Sequence, residues 1–355
     1  MVGLCAGFQA LWLCSCSSDK VPVAPKPTDT PTFSPTFTRT STPTKTFTFT
    51  RTGTLTPSAT PTRTPTGTLT PSATPSLPRP SHVLIVIDEN HGYDQILGSG
   101  AASAPYINSL ASGGAVLTHY DAIVSGSLPN YLAIFSGSTQ GLTSSDCPAD
   151  LGTTSNLGAE LLAKGFTFIG YSEGLPSAGS TVCTGGAVDA KGNPIYARKH
   201  NPWVDWQVGG NIPAADNQPF TAFPDPSGTD FSSLPAVSFV IPDLWDQMHD
   251  GPVSIGDQWL QANLGHYITW CQDASHNSLF ILTFDEDEGS EGEHIPTIFY
   301  GAMVCPGQYG ETVNHYNLCR TLTDMYGLSA MNNAVTATSI TDVFACYTPV
   351  PTPIP

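Results

Sequence analysis

Four polar strings in this chain each follow an apolar run, and their residue types are those that hold a divalent metal. Asp88-Glu89-Asn90-His91 follows Val83–Ile87, and Asp285-Glu286-Asp287-Glu288-Gly289 follows Leu279–Phe284. Tyr171-Ser172-Glu173 and Pro242-Asp243 close the runs Phe166–Ile169 and Val237–Ile241. Glu89, Asn90, Asp285 and Glu286 stand directly at the ends of their runs and offer hard oxygen ligands to a divalent cation. Asp287, Glu288, Glu291 and Glu293 read as solvated loop acids, which are common in so acidic a chain.

A nucleophile candidate lies in Ser125-Gly-Ser-Leu-Pro-Asn-Tyr131. Ser127 stands where a helix would begin, with Pro129 in its first turn. The free N–H groups and dipole of a helix start attract anions. A serine there is by base rate an N-cap, but metal-type ligands and histidines elsewhere lift it, because a nearby cation favours the alkoxide. Among the histidines, His200 in Arg198-Lys-His-Asn-Pro202 and His249 in Met248-His-Asp-Gly251 rank highest, each in a loop dense with polar, Gly and Pro residues. His91, His119, His294 and His315 are further candidates. Arg198 and Lys199 could give an anionic substrate its counter-charge.

The elements that must position these groups follow from hydrophobic pattern. Val83–Ile87 is a continuous apolar run, and Phe166–Ile169, Val237–Ile241, Leu279–Phe284 and Thr297–Tyr300 are similar, as expected of strands buried on both faces of a parallel sheet. Helices are expected over Asn156–Lys164, closed by Gly165, over Gly256–Gln272 with a break near Gly265, and over His315–Tyr326 behind an Asn314 cap. Strands alternating with helices indicate an α/β sandwich around a mainly parallel sheet. Ligands of such sheets bind outside the carboxyl ends of the strands, where acids about 200 residues apart can meet.

Composition sets the limits. Of the 60 residues from Val21 to Pro80, 34 are Thr or Pro, and a nine-residue unit starting at Gly53 recurs at Gly67. Such a stretch buries too little apolar surface to fold and reads as an extended stalk suited to O-glycosylation. Residues 81–346 are long enough for one large core, and 347–355 form a Pro-rich tail. From Ser81 on, five cations face 27 acids. Nucleic-acid binding needs a basic face and is excluded. Residues 1–20 resemble a signal segment, and Leu13-Cys14-Ser15-Cys16 approximates a lipoprotein signal, so a lipid anchor at Cys16 and an extracytoplasmic, secreted or surface-held protein are expected. The run is too short to span a bilayer. Six cysteines fall in the globular part, an even number that favours disulfides in an exported chain. Cys147 and Cys183 flank one helix and one strand and are paired here.

Taken together, these strings resemble the bacterial phosphoesterase family of acid phosphatases and phospholipases C, within the alkaline-phosphatase-like superfamily. The resemblance runs from His82 to about Leu328 and rests on Asp88-Glu-Asn90, Ser127-Leu-Pro-Asn-Tyr131, Arg198-Lys-His-Asn-Pro202 and Met248-His-Asp-Gly251. Gly256-Asp-Gln-Trp-Leu260, Phe284-Asp-Glu286 and Asn314-His-Tyr316 complete it. It implies a three-layer α/β/α sandwich with a mainly parallel central sheet. A divalent metal would be held by Glu89, Asn90, Asp285 and Glu286, and Ser127 would attack phosphorus to give a phosphoserine. His200 and His249 would bind phosphate or move protons, and Lys199 and Asn130 would contact the substrate. Relatives often carry His-Pro where this chain has Ser125-Gly126, which makes Ser125 a remote second nucleophile. The shorter chain favours a phosphate-monoester substrate over a diester or phospholipid. A surface-displayed binding module on a hydrolase fold is the reading from another class.

Limited proteolysis is expected to release a folded, fully active fragment that begins near Ser81. Unfolding or loss of turnover on trimming to that point would show that the Thr/Pro segment belongs to the domain.

Overall fold

Each of the five apolar runs forms a strand of one eight-stranded sheet. In spatial order the strands are Gly307–Tyr309, Ala115–Leu117, Thr297–Tyr300, Ser278–Phe284, His82–Asp88, Val237–Ile241, Phe168–Ser172 and Asn217–Pro219. Only Thr297–Tyr300 runs against the other seven. The computed structural model describes residues 77–143, 146–287 and 289–347. The signal segment, Cys16, nearly all of the Thr/Pro stretch, Glu288 and the tail lie outside the described residues. Leu77 to Pro80 already pack on the domain: Pro78 and Pro80 are buried, and the Pro80 carbonyl accepts from the Tyr326 hydroxyl at 3.2 Å.

Successive strand residues point to opposite faces, yet Val83, Leu84, Ile85, Val86 and Ile87 are all buried. Both faces must therefore be covered. Helix Ser127–Ser136 packs on Leu157–Ala163 and His315–Met325, and helix Pro105–Gly113 packs on Val253–Trp270. Asn156 caps its helix by accepting from the Ala159 N–H at 2.8 Å, and Asn314 caps the last helix through Tyr316. Asp257 reaches from one helix to cap another, accepting from the Tyr106 and Ile107 N–H groups at 3.1 and 2.8 Å.

Three expectations need correction. The helix Val253–Trp270 runs unbroken through Gly265; one glycine costs about 1 kcal/mol relative to alanine, and burial of Leu264, Tyr267 and Ile268 offsets it. The strand expected at Phe166–Ile169 lies two residues later, at Phe168–Ser172, because Gly170 belongs inside it. A Cβ at Gly170 would come within 2.1–2.4 Å of the buried Trp203 ring, so this strand accepts the indole only where it has no side chain. Finally, the six cysteines form two disulfides, Cys147–Cys183 as expected and Cys305–Cys346. Cys271 and Cys319 stay reduced in the core, where burial pushes both thiols up to about 12.

Two changes test this packing. Gly170→Ala should lower stability by about 1–3 kcal/mol through overpacking against Trp203, read by urea denaturation; an unchanged midpoint would show the indole is not seated there. Cys147→Ser should remove about 3–4 kcal/mol of loop-closure stabilisation in the same assay.

Candidate active site

Register brings the acids together. His82–Asp88 pairs in parallel with Ser278–Phe284 so that Asp88 lies opposite Phe284. The next residues, Glu89 and Asp285, therefore emerge side by side, both fully buried. The Asp285 N–H donates to the Asp88 carbonyl at 3.1 Å, and the Asn90 N–H donates to Asp285 Oδ1 at 3.1 Å. Asn90 makes that turn in the left-handed region, at φ 55°, which asparagine tolerates better than most residues.

Ser127 meets this pair from the other side. It is the first residue of helix Ser127–Ser136 rather than its cap, and its Oγ donates to Glu89 Oε2 at 3.0 Å. Gly126 at φ 117° and ψ 129° turns the chain into the helix, a conformation essentially open only to glycine. One turn on, Tyr131 stacks on the His200 ring at 5.2 Å. The sequence reading missed this residue, although its i+4 spacing from Ser127 sets both on one helix face.

His200 is fully buried, with Nε2 3.1 Å from Glu89 Oε1. The contact is not aligned as a hydrogen bond: Glu89 Oε1, both His200 ring nitrogens and Asp285 Oδ2 are buried without a hydrogen-bond partner. The His249 ring lies 5.5 Å from that of His200, and its Nδ1 is 2.8 Å from Asp250 Oδ1. Ligand atoms of Glu89, His200 and His249 all fall within 4.8 Å of one another. The best-gathered donor set thus contains two nitrogens, where the sequence pointed to oxygen alone. Glu286 spends Oε2 on the Ser125 hydroxyl, at 3.1 Å.

Charge explains why these groups are available. Burial pushes the Glu89 carboxyl above the usual range, and Tyr131, Lys199 and Ser127 pull against it. Burial and then the neighbouring Glu89 raise Asp285. Burial, assisted by Lys199 and His249, holds His200 well below an ordinary imidazole, so the ring is neutral. Buried acceptors of like charge with unfilled lone pairs are what a divalent cation would satisfy, and this donor set fits one. Beside it opens a cavity of about 610 Å³ whose lining includes Asn90, Ser125, Ser127, Lys199, His249 and Glu286.

Other candidates build the frame instead. Asn130 was expected to contact substrate, but its carboxamide is fully buried. It accepts from the Ile123 and Val124 N–H groups and donates to the Val124 and Gly126 carbonyls. Arg198 is locked between Asp150 at 2.8 Å and Asp205 at 3.0 Å, leaving Lys199 as the cation at the cavity. His315 links the Asp285 carbonyl, at 2.8 Å, to the Tyr120 hydroxyl, at 3.1 Å, and His91 holds the Glu89 carbonyl. His294 stacks on Tyr93, with His119 beyond it. Asp287 is buried, not solvated, and ties its loop through the Gly289, Glu291 and Glu293 N–H groups. Glu173, Asp243 and Asp246 gather separately. Glu173 accepts from the Asp243 N–H, and Asp243 from those of Trp245 and Asp246, which builds the turn leading to His249.

Comparison with known proteins identifies the family. Residues 100–329 match the Phosphoesterase family. Over 269 residues the chain is 46% identical to a phosphatidylinositol-3-phosphatase of Mycobacterium tuberculosis, an alignment covering 76% of this chain and 84% of that protein. It is 28% identical over 241 residues to a phosphate-repressible acid phosphatase of Penicillium chrysogenum, covering 65% of this chain and 56% of the fungal protein, so it spans about half of that relative. A solved structure from the alkaline phosphatase superfamily, of Vibrio parahaemolyticus, aligns with 74% of this chain and 71% of that one at 12% identity and a TM-score of 0.49.

Asn130→Ala separates a frame residue from a substrate contact. Leaving several buried backbone groups unpaired should cost about 2–4 kcal/mol of stability and lower kcat by displacing Ser127. A raised KM with an unchanged urea midpoint would instead return Asn130 to the substrate.

Proposed function

Because the chain belongs to the Phosphoesterase family, and is a hydrolase of phosphate esters, we propose that it is a phosphomonoesterase working through a phosphoserine at Ser127. The observation that carries this reading is the Ser127 Oγ–Glu89 Oε2 hydrogen bond of 3.0 Å at a helix N-terminus beside the cavity.

The mechanism uses the chain's own groups as follows. The substrate phosphate takes the end of helix Ser127–Ser136 and Lys199 as its positive surroundings. Glu89 accepts the hydroxyl proton as Ser127 Oγ attacks phosphorus, and the bond from phosphorus to the leaving oxygen breaks. His249, half-buried at the cavity and fixed through Nδ1 by Asp250, gives a proton to the leaving alcohol. It then takes one from the water that cleaves the phosphoserine, and Ser127 Oγ recovers its hydrogen. A divalent cation held by Glu89 and His200, with His249 within reach and Asp285, Asn90 and Glu286 at the neighbouring strand ends, would polarise the phosphoryl oxygens and favour the serine alkoxide.

The relatives support a monoester. The mycobacterial protein's name specifies a 3-phosphate on an inositol lipid, and the fungal names specify acid phosphatases. Val124 and Leu142 give one wall of the cavity an apolar character that would suit the non-phosphate part of such a substrate. Two disulfides support a place outside the cytoplasm.

With a chromogenic phosphomonoester, Ser127→Ala should reduce turnover by about three orders of magnitude or more, since the covalent route is lost. Acid quench should trap phosphate on Ser127 of the native protein only. Near-normal turnover in the variant, or trapping at Ser125, would overturn the assignment. Exhaustive chelation should abolish activity and a divalent salt restore it; full activity in metal-free protein would rule out the cation.

A further inference from the structure

One wall of the cavity comes from a stretch without regular structure. Among the described residues no helix or strand lies between Ser136 and Leu157, yet Leu142 and Thr143 from that stretch line the cavity. Short bonds shape it. The Leu142 N–H donates to the Thr139 carbonyl at 3.1 Å, and the Thr143 N–H and hydroxyl donate to Asp146 Oδ2 at 2.7 and 2.9 Å. Such local bonds shape a loop but do not fix where it sits. The residue after Asp146 is Cys147, bonded to Cys183. Cys183 stands at the base of a hairpin, Thr184–Val188 against Pro194–Ala197, whose second strand runs into Arg198, Lys199 and His200. The first strand is almost wholly exposed, and a two-stranded hairpin is marginal in water by itself. Its base is tied instead. The Cys183 carbonyl accepts the Arg198 N–H at 2.9 Å, and the Thr181 carbonyl accepts from Arg198 Nη1 at 3.0 Å. Arg198 Nη2 meets Asp150, just past Cys147 in the chain, at 2.8 Å.

The disulfide thus joins the segment that holds the cavity wall to the segment that holds Lys199, which lines the same cavity. The hydrogen bonds in parallel with it are individually weak in water and open locally. The Asp150 side chain is 41% exposed, so its pair with Arg198 is screened. The S–S bond does not open on the timescale of those fluctuations. We propose that Cys147 and Cys183 are positioning residues, their disulfide clasping the Leu142–Thr143 wall to the Lys199–His200 turn and so fixing the substrate cavity. Ser127 and Glu89 are placed by other means, the Asn130 carboxamide and the strand register. Opening the clasp therefore loosens the hold on substrate and spares the chemical step. This inference rests on the phosphatase reading for its kinetic consequence, though not for its geometry.

The test compares Cys147→Ser/Cys183→Ser with Cys305→Ser/Cys346→Ser. The two disulfides span 36 and 41 positions, so losing either should shift global stability alike, and the variants differ in what is local. Hydrogen–deuterium exchange is read by mass spectrometry under native conditions, with Ser278–Phe284 as internal reference. Residues 138–143 and 198–204 should exchange at least about tenfold faster in the first variant only. With a chromogenic phosphomonoester the first variant should raise KM about tenfold, near the loss of one charged hydrogen bond, with kcat within about threefold of native. The control variant should keep the native KM. Equal exchange in the two variants, or acceleration spread evenly over the domain, overturns the clasp. So does an unchanged KM in the first variant, or a loss that falls on kcat instead. If that variant does not fold, both are read in trimethylamine N-oxide, which favours the compact state. A chain still unfolded there overturns the proposal, because the disulfide would then serve the whole fold. Absence of phosphomonoester turnover in the native protein would defeat the phosphatase reading alone, because exchange reads the clasp independently.

Discussion

Two carboxylates that ought to repel each other are buried side by side, and much of the surrounding structure exists to make that tolerable. Glu89 and Asp285 are neighbours because two parallel strands are paired in one register; a slip of one residue would send their side chains to opposite faces. Placing both beyond the sheet edge removes water from two like charges, a costly arrangement without compensation. The compensation is partial within the chain itself. The Asn90 N–H reaches Asp285, the Ser127 hydroxyl reaches Glu89, and Lys199 lies close enough to draw Glu89 downward. The deficit that remains is one that a divalent cation would satisfy.

The frame is built so that none of these groups can relax away. Asn130 holds the loop before Ser127 by its carbonyls and N–H groups, and Gly126 supplies a backbone geometry that a side chain would forbid. His315 grips the Asp285 carbonyl from beneath, and Tyr120 fixes His315 in turn. Arg198, paired with Asp150 and Asp205 and donating to the Thr181 carbonyl, anchors the turn that carries Lys199 and His200. Its charge is consumed by the fold. Lys199 is thereby left as the cation lining the cavity of a strongly acidic domain, on the same cavity as the N-terminus of helix Ser127–Ser136.

The acids Glu173, Asp243 and Asp246 show the same principle at lower stakes. Glu173 and Asp243 also follow strand ends, but one oxygen of each accepts backbone N–H groups of the turn that leads to His249. Burial raises Glu173 to about 7 and Asp246 to about 6. Similar sequence positions thus yield a reactive pair in one place and a turn in another, and the difference lies in which backbone amides come within reach.

What the chain's own order of residues determined was the sheet, the strand ends and the residue types standing there. Val83–Ile87, Val237–Ile241 and Leu279–Phe284 are apolar but for Ser238 and Thr283 and are buried throughout, so both faces had to be covered, and the polar residues after each had to lie beyond the strand ends. Ser127, Lys199, His200 and His249 could be singled out because motif and spacing are local properties. The tertiary structure decided which of them meet and which are consumed. Arg198 could not be told from an anion-binding residue, since its partners Thr181 and Asp150 lie on other segments, and the role of Asn130 depends on how the Ile123–Gly126 loop folds back onto its carboxamide. Nor could spacing show that two histidines from separate loops bring ring nitrogens close to a Glu89 carboxylate oxygen.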